Sequence, residues 1–308
     1  YVFMEVSAHA LYFDKVAGIR FEAGIFTNCT QDHLDFFGSM KEYAAAKKKL
    51  FEGGRCRFSV INDDDKLGLE IAASAPSAVT YGLKNPADVF AVDVEESISG
   101  VKFVLNLFDE LYEIRLNMPA VHNVYNAMAA ATCAKLLGVK TEDVARGLSA
   151  LKSVPGRLEC AGEYNGAHIF IDFAHTPDGL EKSLAALRKL CTGKLYCLFG
   201  CGGNRDKSKR PLMGAVAAKY ADFLIITSDN PRYEDPFDII TQIEEGVKPS
   251  GKAYVTVTDR ETATGYAVKL LRAGDILLVA GKGGETYQEI MGIKHSYNDN
   301  TVIKNIIG

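Results

Sequence analysis

The second half of the chain alternates short apolar runs with helical patterns, and this alternation restricts the possible folds more than any other feature. The apolar runs are AHIFID, KLYCLFG, DFLIITS, AYVTV and DILLVAG, and the patterns between them include LEKSLAALRKL, PLMGAVAAKY and DIITQIEEGV. Short buried strands that alternate with helices form a parallel sheet with crossover helices. This half therefore predicts an α/β fold with a mostly parallel sheet.

The loops that follow these apolar runs are rich in residues that bind ligands. They read DFAHTPDG, GCGGNRDKSKR, SDNPRYEDP, TDRETA and GKGGETYQ. In an open α/β sheet, ligands bind beyond the carboxyl ends of the strands, where these loops lie. Five loops with more glycine and charge than simple turns require predict a ligand site at this edge.

One of these loops, GCGGNRDK, has the composition of a phosphate cradle. Its glycines would let backbone N–H groups approach an anion, and Arg205 and Lys207 add positive charge. A dinucleotide fingerprint, G-x-G-x-x-G, would need glycine where Arg205 stands. A nicotinamide-dependent reductase is therefore the weaker interpretation, and a glycine turn with solvated charges remains an alternative.

The SDNPR loop has the composition of a turn that presents an arginine. Asp229 and Asn230 favour the start of a turn, and Pro231 fixes its own φ. The planar guanidinium of Arg232 can bind a carboxylate through two hydrogen bonds, while Asp229 or Glu285 accepts an ammonium. The loops would then form a receptor for a zwitterion. An ordinary turn, with Glu285 as a solvated carboxylate, is the alternative.

The first half mixes helical and strand signals. Ser39 and Glu42 form an S-x-x-E capping box at the start of the helical pattern KEYAAAKKKLF, which places Lys47 in the middle of a helix. The stretches VFAVDV, VKFVLNLF and YEIRLNM predict antiparallel strands, and NVYNAMAAATCAKLLG predicts a helix rich in small residues. This half is expected to be a mixed α/β domain.

A break in periodicity separates the two halves. Pro155 and Gly156 in VPGR follow a short helical stretch that begins at Thr141, so the linker is expected near residues 152–157. A length of 308 residues also favours two domains. The predicted domains are residues 1–153 and 154–308.

Polar residues near the start of the chain form a candidate cation site. Asn28, Asp32 and His33 follow the apolar AGIF strand, and Glu5 is expected to end another buried strand, YVFMEV. A carboxylate and an imidazole could share a cation, although Mg²⁺ prefers oxygen ligands. A hydrogen-bonded structural His33 and a solvated Lys47 remain the alternatives.

Composition excludes several classes of protein and partner. A net charge of −4 gives no electrostatic signature of nucleic-acid binding. Seven cysteines, an odd number without a CxxC motif, favour a reducing cytoplasm, and no apolar run is long enough to cross a membrane. The opening residues lack an initiator methionine and a polar lead-in, so the sequence is expected to begin inside a longer protein.

The motifs together resemble the Mur ligases of peptidoglycan synthesis from end to end. The strings that carry the resemblance are, in order, MEVSAHAL, FTNCTQDHLDFFGSMKEYAAAKKKLF, HNVYNAMAAA, VPGRLE, IDFAHTPDGLEKSL, FGCGGNRDKSKRPLMG, TSDNPRYEDP and VAGKGGETYQ. The resemblance implies the rear part of a central ATPase domain followed by a Rossmann-like C-terminal domain. No phosphate loop, G-x-x-x-x-G-K-[ST], is found, so residues 1–153 are expected to be a partial domain and the polypeptide inactive on its own.

The resemblance also implies roles for residues that bind metal and nucleotide. Glu5 and His33 would be ligands of two Mg²⁺ ions, and Lys47, in the A-K-x-x-L-F position, would be carbamylated by CO₂ and hold the second ion. Asn126 would contact the adenine of ATP. The ATP-facing groups of the second half would be Arg157, Asp172 and His175, and Ser7 would contact the nucleotide sugar.

The implied reaction is the ATP-dependent addition of meso-diaminopimelate to UDP-N-acetylmuramoyl-L-alanyl-D-glutamate through an acyl phosphate. Arg232 would discriminate against lysine by several orders of magnitude, because lysine lacks the second carboxylate. The alternatives are a non-catalytic fragment that binds diaminopimelate and a sister ligase that uses lysine or another amino acid. We expect a cytoplasmic monomer. The implied amino-acid site comprises Arg205, Asp229, Asn230, Pro231, Arg232, Gly281 and Glu285.

Overall fold

The computed structural model describes residues 1–30 and 34–308, which form two compact units. The first unit comprises Tyr1–Glu96 and Gly100–Leu151, and the second comprises Ser97–Ser99 and Lys152–Gly308. Among the described residues, no helix is both long enough and apolar enough to span a bilayer.

In the first unit, the described strands form one sheet with the order β1-β2-β3-β4-β5-β6. Neighbours from β1 to β4 pair in parallel, and β5 pairs antiparallel with β6. The strands are β1 (Phe21–Phe26), β2 (Cys56–Asn62), β3 (Ala78–Gly82), β4 (Val89–Ser97), β5 (Gly100–Leu107) and β6 (Glu110–Leu116). The helices are α1 (Ala8–Tyr12), α2 (Leu34–Phe37), α3 (Met40–Lys48), α4 (Lys66–Ala72), α5 (His122–Leu136) and α6 (Thr141–Ala150).

The core of this sheet follows from alternation along its strands. In β5, Phe103, Leu105 and Leu107 are buried, while the residues between them, Val104 and Asn106, are partly exposed. The small residues of α5 let Val124 and Met128 pack closely on the same core. The mixed α/β organisation predicted for this half is confirmed.

The helix that carries Lys47 begins where the capping box predicts. The Ser39 side chain accepts a hydrogen bond from the Glu42 backbone N–H, and α3 continues into a 3₁₀ turn at Lys49–Phe51. Lys47 therefore lies in the last turn of α3, whereas the sequence pattern placed it mid-helix.

The opening residues do not form the predicted buried strand. Tyr1, Val2 and Phe3 are largely exposed, and residues 1–6 lie outside both large sheets. A strand needs a neighbour for its backbone hydrogen bonds, and β1 pairs among the described residues only with β2. The prediction that Glu5 ends a strand is therefore wrong.

In the second unit, the described strands form a sheet with the order β11-β10-β9-β12-β8-β7, in which only β7 is antiparallel to its neighbour. The strands are β7 (Glu159–Tyr164), β8 (Ala167–Asp172), β9 (Leu195–Phe199), β10 (Phe223–Ile226), β11 (Tyr254–Thr256) and β12 (Ile276–Ala280). A hairpin of β13 (Tyr287–Ile290) and β14 (Ile293–Ser296) follows. The helices are α7 (Pro177–Leu190), α8 (Lys209–Tyr220), α9 (Pro236–Val247), which a 3₁₀ turn at Lys248–Ser250 follows, α10 (Arg260–Leu270) and α11 (Asp299–Ile307).

The five apolar runs all form parallel strands, as predicted. Every residue of β9 and β12 is buried, because helices cover both faces of a sheet of this kind. The loops after β8, β9, β10 and β12 therefore meet at one edge, where the charged sequences were expected to cluster. The α/β fold with a mostly parallel sheet is confirmed.

Candidate active site

Two loops at the carboxyl edge of the second sheet approach each other closely. The loop after β10 carries Asp229–Arg232, and the loop after β12 begins at Gly281, whose N–H donates to the Asp172 carbonyl. Gly281 has φ +111°, and a Cβ there would lie 2.8 Å from Oδ2 of Asp229. Glycine is therefore required for this approach, and Gly281 contributes to the site as backbone.

Lys282 joins the two loops. Its ammonium lies 3.0 Å from Oδ1 of Asn230, 3.0 Å from Oε2 of Glu285 and 3.5 Å from Oδ1 of Asp229. The amide of Asn230 also donates to Oε2 of Glu285 over 2.9 Å. Lys282 is fully buried. Its contacts therefore fix the side chains of Asp229, Asn230 and Glu285 from the interior of the protein.

Arg232 is held by two contacts that leave part of its guanidinium free. Its Nη1 donates to the Gly203 carbonyl over 2.8 Å, and its Nε lies 3.3 Å from Oε2 of Glu289. Its side chain is 21% exposed. Nη2 has no hydrogen-bond partner among the described residues, so it can receive a carboxylate from outside.

The backbone at Arg232 is strained, and two hydrogen bonds hold it in that conformation. Its φ is +52°, in the left-handed region that costs a side-chain-bearing residue about 1–2 kcal/mol. The Arg232 N–H donates to the Glu289 carbonyl, and the Arg232 carbonyl accepts from the Met291 N–H. Two hydrogen bonds to the β13 hairpin thus hold the arginine in place, as is common at functional sites.

The glycine loop after β9 brings a second arginine near Arg232. A Cβ at Gly202 would lie 3.0 Å from Nη1 of Arg232 and 3.8 Å from Cγ of Arg205. Arg205 itself is exposed, whereas Arg210 is buried and donates to the Gly202 carbonyl and to both carboxylate oxygens of Glu234. The Arg210 hydrogen bonds lower the pKa of Glu234 to about 2, so this support stays ionised.

The Asp172 carboxylate accepts its hydrogen bonds from groups of the protein itself. Its Oδ2 accepts from the Leu158 N–H over 2.7 Å, and its Oδ1 accepts from Ala174 N–H over 2.9 Å and from the Ser183 hydroxyl over 3.0 Å. Asp172 is only 8% exposed and accepts three hydrogen bonds, so its carboxylate has a structural role. Its position fixes the turn that carries Arg157, rather than leaving the carboxylate free for a ligand.

Arg157 and His175 both contact the ring of Phe173. The Arg157 guanidinium is 5.1 Å from the centre of the Phe173 ring, and the His175 ring is 4.8 Å from it. Both residues are exposed, and Nδ1 of His175 hydrogen-bonds the Phe173 carbonyl over 2.9 Å. Glycine is required just before Arg157, because a Cβ on Gly156, at its φ of +68°, would lie 2.3 Å from Gly284 N.

In the first unit, Lys47 is partly buried beside the segment that follows β1. Its ammonium donates to the Asn28 carbonyl over 2.9 Å and lies 5.0 Å from the centre of the Tyr43 ring. The neighbouring Cys29 N–H donates to Asp65 over 2.8 Å. Burial raises the pKa of the Cys29 thiol, and the nearby charge of Lys47 opposes that rise.

The other predicted residues of the first unit lie on its surface or outside the description. Glu5 and Asn126 are exposed, and the Asn126 amide donates to Oδ1 of Asn123 over 3.3 Å. The Ser7 hydroxyl caps α1 by accepting from the Ala10 N–H. His33 lies outside the described residues, so its predicted role stays a prediction.

The described residues of the first unit do not by themselves fit Mg²⁺. No cluster of three or more His, Cys, Asp or Glu side chains that could hold a metal occurs in the described part of the chain. Glu5 supplies one exposed carboxylate, and the Lys47 amine donates a hydrogen bond where a cation would need an oxygen. We therefore derive no reaction step through Mg²⁺.

Comparison with known proteins identifies the family of both halves of the chain. The Mur ligase middle domain matches residues 1–134, and the Mur ligase glutamate ligase domain matches residues 156–283. The chain belongs to the Mur ligase family. Both halves of the molecule are thus those of a Mur ligase, in agreement with the resemblance in the sequence.

Two relatives of this Mur ligase from different organisms share a name. The chain is 46% identical over its whole length to the UDP-N-acetylmuramoyl-L-alanyl-D-glutamate–2,6-diaminopimelate ligase of Caldanaerobacter subterraneus and covers 64% of that protein. It is 43% identical, over 97% of its length, to ligase 1 of the same name from Clostridium acetobutylicum, of which it covers 62%. The chain spans less than two thirds of the length of these relatives.

Solved structures agree with the fold of this Mur ligase. The structure of a UDP-N-acetylmuramoyl-L-alanyl-D-glutamate–2,6-diaminopimelate ligase matches 98% of the chain and 63% of its own, with a TM-score of 0.64 and 34% identity. A pseudomurein peptide ligase type C from Methanothermus fervidus gives a TM-score of 0.72 at 21% identity, covering 98% of this chain and 66% of its own. The latter supports the fold alone.

Sequence reasoning missed two residues of this Mur ligase site. The GKGGE pattern predicts no role for Lys282, although a lysine between two glycines at the carboxyl end of a strand is itself a signal of a binding loop. Glu289 lies in a segment for which the sequence predicts no element, and it pairs with Arg232 in the folded chain. The expected partner of Arg232 inside the protein is therefore Glu289.

Proposed function

We propose that this chain is part of an enzyme that adds meso-diaminopimelate to UDP-N-acetylmuramoyl-L-alanyl-D-glutamate, with ATP as the energy source. One observation carries the proposal. Arg232, with a free Nη2, lies in a loop that Asn230 links to the carboxylate of Glu285. A guanidinium and a carboxylate held at one sheet edge suit an amino acid with an additional carboxylate, and the relatives named above bear the name of that substrate.

The proposed reaction forms an amide in two steps. The terminal carboxylate of the UDP-linked dipeptide attacks the γ-phosphorus of ATP, which gives an acyl phosphate and releases ADP. The free amine of diaminopimelate then attacks the acyl carbon, the bond from that carbon to the phosphate oxygen breaks, and phosphate leaves while the nitrogen loses a proton. In this chain, Arg232 would bind a carboxylate of diaminopimelate and Glu285 would accept its ammonium, which orients the other end for attack.

The nucleotide-facing residues are proposed from their exposure. We propose that Arg157 and His175, which are exposed near Phe173, contact the phosphates of ATP and that the exposed Asn126 contacts its adenine. Asp172 would act through them, because it holds the Leu158 N–H next to Arg157. Ser7 is proposed to contact the nucleotide sugar in addition to capping α1.

The proposal predicts that the 308-residue chain binds meso-diaminopimelate about 10- to 100-fold more tightly than L-lysine. This ratio is smaller than the several orders of magnitude expected from the sequence, because Glu289 remains a partner for Arg232 when lysine binds. Isothermal titration calorimetry with both amino acids measures it. Equal affinities would instead favour a sister ligase, and no binding of diaminopimelate would refute the proposal.

We further propose that CO₂ carbamylates Lys47. A carbamate would supply the oxygen donor that Mg²⁺ needs, and its remaining N–H could keep the hydrogen bond to the Asn28 carbonyl. Incubation with ¹³C-bicarbonate is expected to add one carbonyl resonance in the NMR spectrum, which Lys47→Met removes and the neighbouring Lys48→Met retains. A resonance that persists in Lys47→Met would contradict the assignment.

We also propose that the enzyme is a cytoplasmic monomer. A cytoplasmic location suits an enzyme that uses ATP, and all seven cysteines are free. A monomer would suffice for amino-acid binding, since Arg232, Asn230, Lys282 and Glu285 come from one chain.

A further inference from the structure

We propose that Lys282 is a positioning residue of the amino-acid site, which holds Glu285 so that its free carboxylate oxygen receives the ammonium of the bound amino acid. The inference rests on the proposed function, because it takes diaminopimelate as the ligand. It assigns a role to a residue whose own atoms have no exposure to solvent.

The contacts of Lys282 leave nothing for a ligand. An ammonium has three donors, and three oxygens surround this one, on Asn230, Glu285 and Asp229. The rings of Tyr287 and Tyr297 lie 5.8 and 6.0 Å away and close the remaining sides. Lys282 can therefore act on an amino acid only through the groups that it binds.

The hydrogen bonds on Glu285 are confined to one oxygen. Both Lys282 and Asn230 donate to Oε2. Oε1 accepts no hydrogen bond from the described residues, and the side chain is 25% exposed, against 8% for Asp229. Lys282 therefore fixes the inner oxygen of Glu285 and directs the outer oxygen toward solvent.

The charges of this cluster favour a cation. Lys282 carries one positive charge, and Asp229 and Glu285 carry two negative charges, so the cluster has a surplus of one negative charge at its exposed member. Without the lysine, the carboxylates of Asp229 and Glu285 would repel each other. Lys282 thus offsets the repulsion between the two carboxylates, while Oε1 of Glu285 remains open to an ammonium.

Within the described part of the chain, Lys282 makes no direct contact with Arg232; it is linked to that side through Oδ1 of Asn230, which also accepts from the Glu289 N–H over 2.9 Å. Arg232 is fixed by the Gly203 carbonyl and by Glu289. A ligand that has both carboxylates of diaminopimelate but neither ammonium, such as pimelate, should therefore not depend on Lys282. This difference separates positioning of Glu285 from a general structural role.

The test measures the affinities of meso-diaminopimelate and pimelate for the 308-residue chain and for Lys282→Met, by calorimetry or by competition. We expect the variant to bind diaminopimelate about 10- to 100-fold more weakly and pimelate within about 3-fold of the unchanged chain. Lys294→Met, which removes an exposed lysine 4.2 Å from the Tyr287 ring, is the matched control and should change neither affinity.

A second variant separates a loss of stability from a loss of affinity. Lys282→Met leaves Asp229 buried without a cation, so Asp229→Asn combined with Lys282→Met removes that charge and should restore the melting temperature without restoring diaminopimelate affinity. Unchanged affinity in a folded variant, or equal loss for both ligands, would overturn the inference alone. Failure of the unchanged chain to bind diaminopimelate would overturn the proposed function and the inference with it.

Discussion

Replacement of Arg232 by alanine is expected to weaken the binding of meso-diaminopimelate by about 30- to 1,000-fold. The guanidinium is only 21% exposed and has Nη2 free, so its hydrogen bonds to a ligand carboxylate would form away from most of the competing water. L-Lysine lacks the second carboxylate, and its affinity should change by less than about 3-fold. Calorimetry with both amino acids on the same preparation measures the contrast.

The control for this variant concerns Glu289. Removal of Arg232 leaves the Glu289 carboxylate without its partner 3.3 Å away, and that charge would repel the ligand. Arg232→Ala combined with Glu289→Gln separates the two effects, since only the loss of the guanidinium remains. Alanine also keeps the φ of +52° in the left-handed region, so the backbone strain is matched. Equal losses for both amino acids would contradict the assignment of Arg232.

Replacement of Arg260 by methionine is expected to destabilise the second unit by about 3–5 kcal/mol. Arg260 and Asp299 are both fully buried, and two hydrogen bonds of 2.9 Å join them. Methionine would leave the Asp299 carboxylate buried without a cation. For a unit of this size the loss corresponds to a melting temperature lower by roughly 6–20 °C, which circular dichroism can measure.

The same substitution should also disturb the loop of the amino-acid site that follows β12. Arg260 also donates to the Ala280 carbonyl over 2.9 Å, directly before Gly281, so it fixes the start of the loop that carries Lys282 and Glu285. Arg260→Met combined with Asp299→Asn removes the orphaned charge and should recover much of the stability. If Arg260→Met melts within about 2 °C of the unchanged chain, the Arg260–Asp299 pair contributes little to the stability of the fold.

Much of the fold could be predicted from local patterns. The apolar runs around Ile171, Leu198, Ile225 and Leu278 became neighbouring parallel strands, because a short buried run between helices has few other ways to satisfy its backbone. The Ser39 cap was also predictable, since the cap and its N–H partner are three residues apart. The opening strand was not, because a strand needs a partner that no local pattern specifies.

Local sequence patterns were enough to specify the α/β class, the edge at which the charged loops meet and the arginine in one of those loops. The pairing of charges became known only from the folded chain: Arg232 pairs with Glu289, Lys282 with Asp229 and Glu285, and Asp172 with the turn beside Arg157. Periodicity and capping act over a few residues. By contrast, the bond from Lys282 to Asn230 spans 52 residues, and its partners are set by the packing of whole strands and by the burial that follows.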